Sequence, residues 1–277
     1  MAIDQSALAD PVVRLLARRT KYVEPEILGL AGLVGPGNVC IDVGAAAGLY
    51  TLALSRLVGP TGEVHSIEPL TFAHPVWSRL LGTRGAANVR RHSLALGREP
   101  GTGVMSVPAT RFVRVTGRSF LDFKANGLGS NTEFRKHSRV EVEVETLDGL
   151  CRRIGMKTVD FIKIDVEGAE LQILEGGEAT IEAFRPTLLV EIEARHTGRY
   201  DYGPDDIVGW LTQRGYTMHV WQRSWREADR VGTEGRNYLF RPAGTVMPSA
   251  EAATATAAAE ASSARAVPAA TAESPAS

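Results

Sequence analysis

Three carboxylates stand where apolar runs end, a position from which a side chain can bind a ligand or accept a proton. Asp42 and Asp165 each close a run of mostly aliphatic residues, and Glu68 closes another just before Pro69. In an open α/β sheet, ligands bind in the crevice outside the carboxyl ends of the strands. We therefore expect the three acids to face one crevice, which would favour a ligand with positive charge.

The segment 42–48, Asp-Val-Gly-Ala-Ala-Ala-Gly, predicts a tight turn between a strand and a helix. Gly44, Ala45 and Gly48 would let the backbone approach a nucleotide-like ligand closely. The spacing is not the GxGxxG of dinucleotide-binding loops, and Asp42 would repel a pyrophosphate at the helix N-terminus. S-adenosylmethionine (SAM) fits better, because it has no phosphate and carries a sulfonium and an ammonium group. A plain strand-turn-helix with glycines used for packing is the alternative.

Glu68 lies roughly 20 residues beyond the glycine turn, where an acid accepts charge-assisted hydrogen bonds from both ribose hydroxyls. NAD-dependent enzymes use an acid in a similar way, so Glu68 indicates adenosine without choosing between cofactors. The candidate cofactor-binding residues are Asp42, Gly44, Ala45, Gly48, Glu68, Ser93 and Asp165.

Asp165 is the first candidate for a catalytic group, because it should project from a strand end toward the reacting atoms. Lys163 precedes it within an apolar strand, where an unpaired charge is costly, so a carboxylate partner is expected. His196 follows the next strand and is the second candidate, since an unperturbed histidine titrates near neutral pH and can act as a general base. A surface histidine is the plainer interpretation, and His137 is a weaker rival.

Acids in the first turn of a helix complement its dipole, which accounts for Glu167 and Glu170 without a catalytic role. Carboxylate and water ligands suit magnesium, but the acids here do not form a dedicated cage. The two cysteines, Cys40 and Cys151, show no zinc-binding spacing and are predicted core residues. We assign no metal ligand, and dependence on a divalent metal stays open.

Strand and helix patterns alternate along most of the chain, which predicts an α/β fold. We expect a doubly wound, mostly parallel seven-stranded sheet with helices on both faces. The strands are predicted near residues 39–43, 63–68, 88–96, 159–164, 187–192, 217–221 and 238–240.

Residues 97–144 break this alternation and predict an inserted hairpin and loop before the fourth core strand. Long loops on a compact scaffold are commonly functional, so the insert is expected to face the substrate. Residues 1–37 are predicted to form an N-terminal helical cap on a domain spanning 38–243. The low-complexity segment 244–277 is predicted to be disordered, because it has too few apolar residues to form a core.

Composition limits the functional classes. The formal charge is −1 and 44% of the residues are hydrophobic, which fits a globular protein and argues against general nucleic-acid binding. The start of the sequence lacks a basic region followed by an apolar core, and no apolar run reaches the roughly 18 residues that span a bilayer. We therefore expect a cytoplasmic protein without a membrane partner.

Together these motifs resemble the FkbM family of class I SAM-dependent methyltransferases over roughly residues 39–192. The resemblance rests on the glycine turn, on Ser-Ile-Glu-Pro at 66–69 and on Glu-Thr-Leu-Asp at 145–148. Its most specific part is Val-Asp-Phe-Ile-Lys-Ile-Asp-Val-Glu-Gly-Ala-Glu at 159–170, followed by Leu-Glu-Gly-Gly at 174–177. The family usually has asparagine where this chain has Ala46, so a polar side chain near the cofactor is missing.

The resemblance implies a Rossmann-like fold and transfer of a methyl group from SAM to a hydroxyl of a sugar, glycan or polyketide-type natural product. Two alternatives are a nucleotide-dependent oxidoreductase on a similar sheet and a catalytically silent cofactor-binding module. The absence of GxGxxG and the presence of Asp42 argue against the first, whereas Ala46 keeps the second open. The acceptor molecule and the oligomeric state do not follow from the sequence.

Overall fold

The computed structural model describes residues 24–70, 87–108, 120–121, 137–232 and 235–247. Its strands are β1 (Val39–Val43), β2 (Glu63–Ile67), β3 (Val89–His92), β4 (Ala95–Leu96), β5 (Gly101–Pro108), β6 (Phe120–Leu121), β7 (His137–Glu145), β8 (Phe161–Ile164), β9 (Thr187–Glu191), β10 (Tyr216–Trp221), β11 (Trp225–Glu227) and β12 (Asn237–Pro242). Its α-helices are α1 (Leu49–Val58), α2 (Leu147–Ile154), α3 (Glu170–Glu175), α4 (Glu178–Phe184), α5 (Ala194–Thr197) and α6 (Pro204–Gln213), with 3-10 helices at Pro25–Gly32 and Gly198–Tyr200.

The main sheet has the strand order β11-β10-β12-β9-β8-β1-β2-β3. Strands β3, β2, β1, β8 and β9 run parallel, and β12, β10 and β11 continue the sheet in antiparallel pairs. The order reverses at β1, which lies between β2 and β8, and such a switch point creates the ligand crevice of an open α/β sheet. The predicted doubly wound, mostly parallel fold is confirmed.

The sheet has eight strands rather than the predicted seven. The additional strand is β11, a three-residue edge strand whose alternation is too short to be recognised in the sequence. The predicted third strand, 88–96, is also divided: β3 belongs to the main sheet, whereas β4 starts a second sheet in the order β4-β7-β5-β6. In the second sheet Ala95 packs against buried side chains of β5 and β7, including Met105 and Val142.

The second sheet lies largely in the segment predicted as an insert, and β5 and β7 form its long antiparallel ladder from Gly101↔Val144 to Pro108↔His137. The rest of that segment, at 109–119 and 122–136, lies outside the described residues, as do residues 1–23 of the predicted cap and 248–277 of the predicted tail. Residues 244–247 still contact the fold, because Met247 packs against a core cluster and the Val246 carbonyl accepts a hydrogen bond from Arg241 Nη1.

Strand β8 is buried on both faces, which explains its continuous apolar sequence. Ile162 and Ile164 pack with helices α2, α3 and α6 on one side of the sheet. Phe161 packs on the other side with α1 and the 3-10 helix Pro25–Gly32. Cys40 and Cys151 are free and buried, as predicted. Among the helices of the described chain, none is long and apolar enough to cross a membrane.

Candidate active site

The turn after β1 touches the end of β8. Gly44 has φ +78°, and a Cβ at this position would lie 1.8 Å from the carbonyl oxygen of Asp165. The backbone N–H groups of Gly44 and Ala45 both donate to the Ile67 carbonyl, at 3.0 and 3.1 Å. The turn is therefore fixed to β2 on one side and packed against β8 on the other, and only glycine fits at its first position.

Ala46 adopts a left-handed conformation, with φ +42°, and its N–H donates to Glu68 Oε2 at 3.0 Å. Asparagine and glycine enter this region more readily than alanine. An asparagine at this position, as in the family that the motifs resemble, would adopt this conformation with less strain. Alanine keeps the hydrogen bond to Glu68 at the cost of local strain.

We expect Ala46→Gly and Ala46→Asn to raise the free energy of unfolding by roughly 0.5–1 kcal/mol, because each relieves the left-handed alanine. Chemical denaturation of the full chain measures the change. Ala47→Gly is the matched control, since Ala47 does not have a positive φ and glycine there should destabilise the fold. An equal loss of stability in Ala46→Gly and Ala47→Gly would contradict this interpretation.

Asp42 is only 2% exposed and does not line the crevice. Its Oδ2 accepts a hydrogen bond of 2.5 Å from Thr51 Oγ1, which joins β1 to α1. Burial raises the pKa of Asp42 to about 6, with the Thr51 hydrogen bond acting in the opposite direction. Asp42 thus holds the glycine turn against its helix, in contrast to the expectation that it faces the ligand.

Glu68 follows β2 and is nearly buried. Its Oε2 accepts the Ala46 N–H and its Oε1 accepts the Leu70 N–H, at 3.0 and 2.9 Å. Burial raises the pKa of Glu68, although these two backbone hydrogen bonds act to lower it. The carboxylate is held rigidly at the edge of the crevice, where its remaining lone pairs can accept hydrogen bonds from a ligand.

Lys163 is fully buried in β8, and its Nζ lies 3.3 Å from Asp165 Oδ2 and 2.7 Å from Asn237 Oδ1. Burial acts to lower its pKa, but the charge of Asp165, followed by those of Glu24 and Glu191, outweighs burial and raises it. The ammonium also lies 5.1 Å from the centre of the Tyr50 ring. The predicted carboxylate partner of Lys163 is confirmed, and it is Asp165.

A carboxyl cluster surrounds Asp165. Carboxylate oxygens of Glu24, Asp165 and Glu191 all lie within 4.8 Å of one another, and Glu24 also accepts a hydrogen bond of 2.8 Å from the Tyr50 hydroxyl. Burial and the nearby charge of Asp165 raise the pKa of Glu191 far above its usual range. Glu191 and Asp165 thus repel each other, and the Lys163 ammonium offsets part of that repulsion.

His196 lies in α5 and is 5% exposed. Its Nε2 is 2.9 Å from Glu167 Oε2 and its Nδ1 is 3.9 Å from Glu191 Oε2. Glu167 has φ +60° and lies before the helix α3, which begins at Glu170. Glu170, by contrast, accepts the backbone N–H groups of Val166 and Gly168, the role expected of an acid at a helix start.

A cavity opens at the carboxyl ends of β1, β2 and β8. It holds about 730 Å³ of empty space, a volume that includes open solvent at its mouth. It is lined by Val43, Gly44, Ala46, Ile67, Glu68, Pro69, Leu94, Ala95, Leu96, Met105, Asp165, Val166, Glu167 and Ala169. Three lining residues are carboxylates, and within the described part of the chain none of the lining residues is lysine or arginine.

The structure brings Gly44, Glu68 and Asp165 together around this cavity. Ala45 is buried beside it in the turn, and Gly48 adopts φ +83° at the start of α1 without lining it. Ser93 is exposed after β3, next to the lining residue Leu94, and His196 is separated from the cavity by Glu167. His137 begins β7 in the second sheet.

The comparison with known families gives a match over residues 42–218, more than half of the chain, to the family described as "Methyltransferase FkbM domain". The chain belongs to the FkbM methyltransferase family. The enzyme class predicted from the sequence, a methyltransferase, is confirmed.

Among curated proteins, this FkbM chain is 27% identical over 187 residues to "Methyltransferase 1" of Beauveria bassiana, covering 62% of this chain and 72% of that protein. It is 28% identical over 157 residues to "Methyltransferase sdnD" of Sordaria araneosa, covering 49% of this chain and 59% of that protein. Among solved structures, the "Methyltransferase FkbM" of Methylobacillus flagellatus KT aligns with 16% identity and a TM-score of 0.44, over 83% of this chain and 58% of that one.

Sequence reasoning missed several residues that lie around the candidate site of this FkbM chain. Glu24 precedes a 3-10 helix and Asn237 begins β12, more than 70 residues from Lys163 in each direction. No local pattern connects such distant positions, although the buried charge of Lys163 signalled that further partners were needed. Glu167 was expected only to complement the helix dipole, whereas its carboxylate lies 2.9 Å from His196 Nε2.

Proposed function

We propose that this chain transfers the methyl group of SAM to a hydroxyl of a small-molecule or glycan acceptor, such as a sugar or a polyketide-type natural product. The observation that carries the proposal is the cavity lining, where three carboxylates and no cationic side chain occur among the described lining residues. Such a lining favours a sulfonium and an ammonium group and disfavours a pyrophosphate. The same observation argues against the oxidoreductase alternative.

The residues present fit an adenosine-bearing ligand. Gly44 lets the backbone reach the end of β8, and the rigidly held Glu68 carboxylate can accept hydrogen bonds from two ribose hydroxyls. Ile67, Leu94 and Leu96 supply apolar surface for a base. Met105 of β5 lines the cavity, which supports the proposal that the predicted insert contacts the acceptor.

When bound, SAM would supply a methyl group on a positively charged sulfur: the acceptor oxygen would form the new bond to the methyl carbon as the carbon–sulfur bond breaks, with its electron pair left on sulfur. Because that leaving group is already activated, holding the two reactants in line supplies much of the acceleration. Asp165 is placed to accept the proton of the acceptor hydroxyl, and the Lys163 ammonium fixes its position. His196, the other catalytic candidate, acts through Glu167 rather than by direct contact with the cavity.

Calorimetry with SAM and with NAD tests the donor, and transfer of labelled methyl from SAM to a panel of glycosylated metabolites and polyketides tests the acceptor. We expect SAM alone to bind and label to appear on oxygen. Binding of NAD without SAM would overturn the proposal. Tight SAM binding without transfer to any member of the panel would favour a silent binding module.

We expect Glu68→Ala to weaken SAM binding by roughly 10- to 100-fold, since it removes charge-assisted hydrogen bonds to the ribose. Some loss of stability should accompany it, because the N–H groups of Ala46 and Leu70 lose their acceptor. Calorimetry with SAM measures the affinity, and circular dichroism reports folding. Glu63→Ala, which removes a partly exposed acid of β2 bound to Arg90, is the matched control. Equal affinity in the two variants would remove Glu68 from the ribose site.

A further inference from the structure

Two polar atoms with no hydrogen-bond partner face each other beside the active site. They are His196 Nδ1 and Glu191 Oε2, which lie 3.9 Å apart in side chains that are 6% and 7% exposed. A buried polar atom without a partner costs free energy, because nothing replaces the hydrogen bonds that it made to water. Since both atoms can donate a lone pair, a cation between them would satisfy both at once.

The other nitrogen of the imidazole is already fixed. His196 Nε2 lies 2.9 Å from Glu167 Oε2, so the proton of a neutral ring resides on Nε2 and the Nδ1 lone pair points toward Glu191. Histidines that bind metals characteristically donate their second N–H to a carboxylate, which fixes the tautomer and raises the basicity of the ligand atom. Glu167 supplies that outer contact here.

Glu193 provides a third ligand. Its carboxylate, Glu191 and His196 offer ligand atoms that all lie within 4.8 Å of one another. Glu193 also pairs with Arg195 and Arg236, whose side chains are 50% and 61% exposed. A carboxylate has about four lone-pair sites, so Glu193 can bind an ion while it keeps a guanidinium contact.

We propose that His196 Nδ1, Glu191 and Glu193 bind one divalent transition-metal ion. One imidazole and two carboxylates suit zinc, manganese or cobalt better than the all-oxygen coordination preferred by magnesium. The 3.9 Å separation accommodates an ion about 2.0–2.2 Å from each ligand atom. None of the three ligand residues lines the cavity, and the site borders it through Glu167, a lining residue that contacts His196 Nε2.

The neighbouring cluster of Glu24, Asp165 and Glu191 is a poorer place for this ion. The Lys163 ammonium lies 3.3 Å from Asp165 and already supplies positive charge there. A metal in that cluster would face the repulsion of a fully buried cation. The described part of the structure thus favours the side of Glu191 that faces His196.

Calorimetric titration of the full chain, first treated with a chelator, with zinc chloride and with manganese chloride tests the site. We expect one ion per chain, and a loss of at least about tenfold in affinity for both Glu191→Gln and His196→Gln. Visible absorption of added cobalt(II) gives an independent report of an imidazole ligand. Glu170→Gln and His219→Gln are matched controls, because each replaces a buried residue of the same type outside the cluster.

If circular dichroism shows that Glu191→Gln or His196→Gln does not fold, Glu193→Gln is tested instead. The Glu193 side chain is 13% exposed, so its substitution disturbs the core less. The proposal would be overturned if neither zinc nor manganese bound at one ion per chain. It would also be overturned if the cluster variants and the control variants bound the metal with equal affinity. Both readouts are independent of SAM and of methyl transfer. A negative result for metal binding would therefore not bear on the proposed methyl transfer, which is tested separately.

Discussion

Gly44→Ala should abolish SAM binding and lower the melting temperature by roughly 4–20 °C, given about 2–4 °C per kcal/mol for a domain of this size. The added Cβ would lie 1.8 Å from the carbonyl oxygen and 2.8 Å from the carbonyl carbon of Asp165, both backbone atoms. The positive φ adds a conformational cost. Strain of these two kinds totals about 2–5 kcal/mol. Relief would require β1 and β8 to separate where Glu68 and Asp165 face the cavity.

Gly155→Ala separates the two contributions to this effect. Gly155 ends α2 with φ +68° and ψ +36°, and a Cβ there meets no atom within 4 Å. Gly155→Ala should therefore lower the free energy of unfolding only by the cost of a left-handed alanine, about 1 kcal/mol, and leave SAM affinity unchanged. Thermal melting and calorimetry on both variants provide the measurement. Similar losses in the two would mean that the contact with Asp165 is unimportant.

That Glu68 and Asp165 lie at one cavity could be predicted from the sequence, because it depends on a property of every parallel sheet. Glu68 and Asp165 close adjacent apolar strands, and the carboxyl ends of such strands meet at one edge. The order of β2, β1 and β8 then brings the two acids to the same cavity. Strand identity and direction were sufficient for this inference.

The orientation of individual side chains could not be predicted in the same way. Asp42 has the same sequence signal as Asp165, yet it lies one residue inside its strand and its carboxylate points to Thr51. A change of one position reverses the face of a strand from which a side chain projects. The assignment of Asp42 to the ligand overlooked this alternation, whereas Asp165 lies just beyond β8.

The strand pairing of the second sheet could not be predicted from the sequence either. Two of its strands, β4 and β6, are only two residues long, and two residues separate β4 from β3. The continuous pattern at 88–96 gave no sign that Ala95 and Leu96 pair with β7 rather than continue the main sheet. Tertiary packing against Met105 and Val142 decides that pairing, and local propensity does not encode it.

Asp165→Asn should lower the rate of methyl transfer by roughly 10²- to 10⁴-fold, the range for loss of a general base. Asparagine keeps the size of the side chain but cannot accept a proton from the acceptor hydroxyl. SAM affinity should fall much less than the rate, because Glu68 still binds the ribose and Glu167 still lines the cavity. Single-turnover transfer to an acceptor from the panel, together with calorimetry, separates the two quantities.

The same substitution also removes an anionic partner of Lys163, so its effect on stability requires a matched control. Asn237→Ala removes the other close acceptor of that ammonium, the oxygen 2.7 Å from Nζ, and Asn237 does not line the cavity. We expect both variants to melt at lower temperature but only Asp165→Asn to lose most of its transfer rate. If Asn237→Ala lost as much activity, Asp165 would act by holding Lys163 in place. An unequal loss, with affinity for SAM preserved, would identify Asp165 as the group that takes the proton.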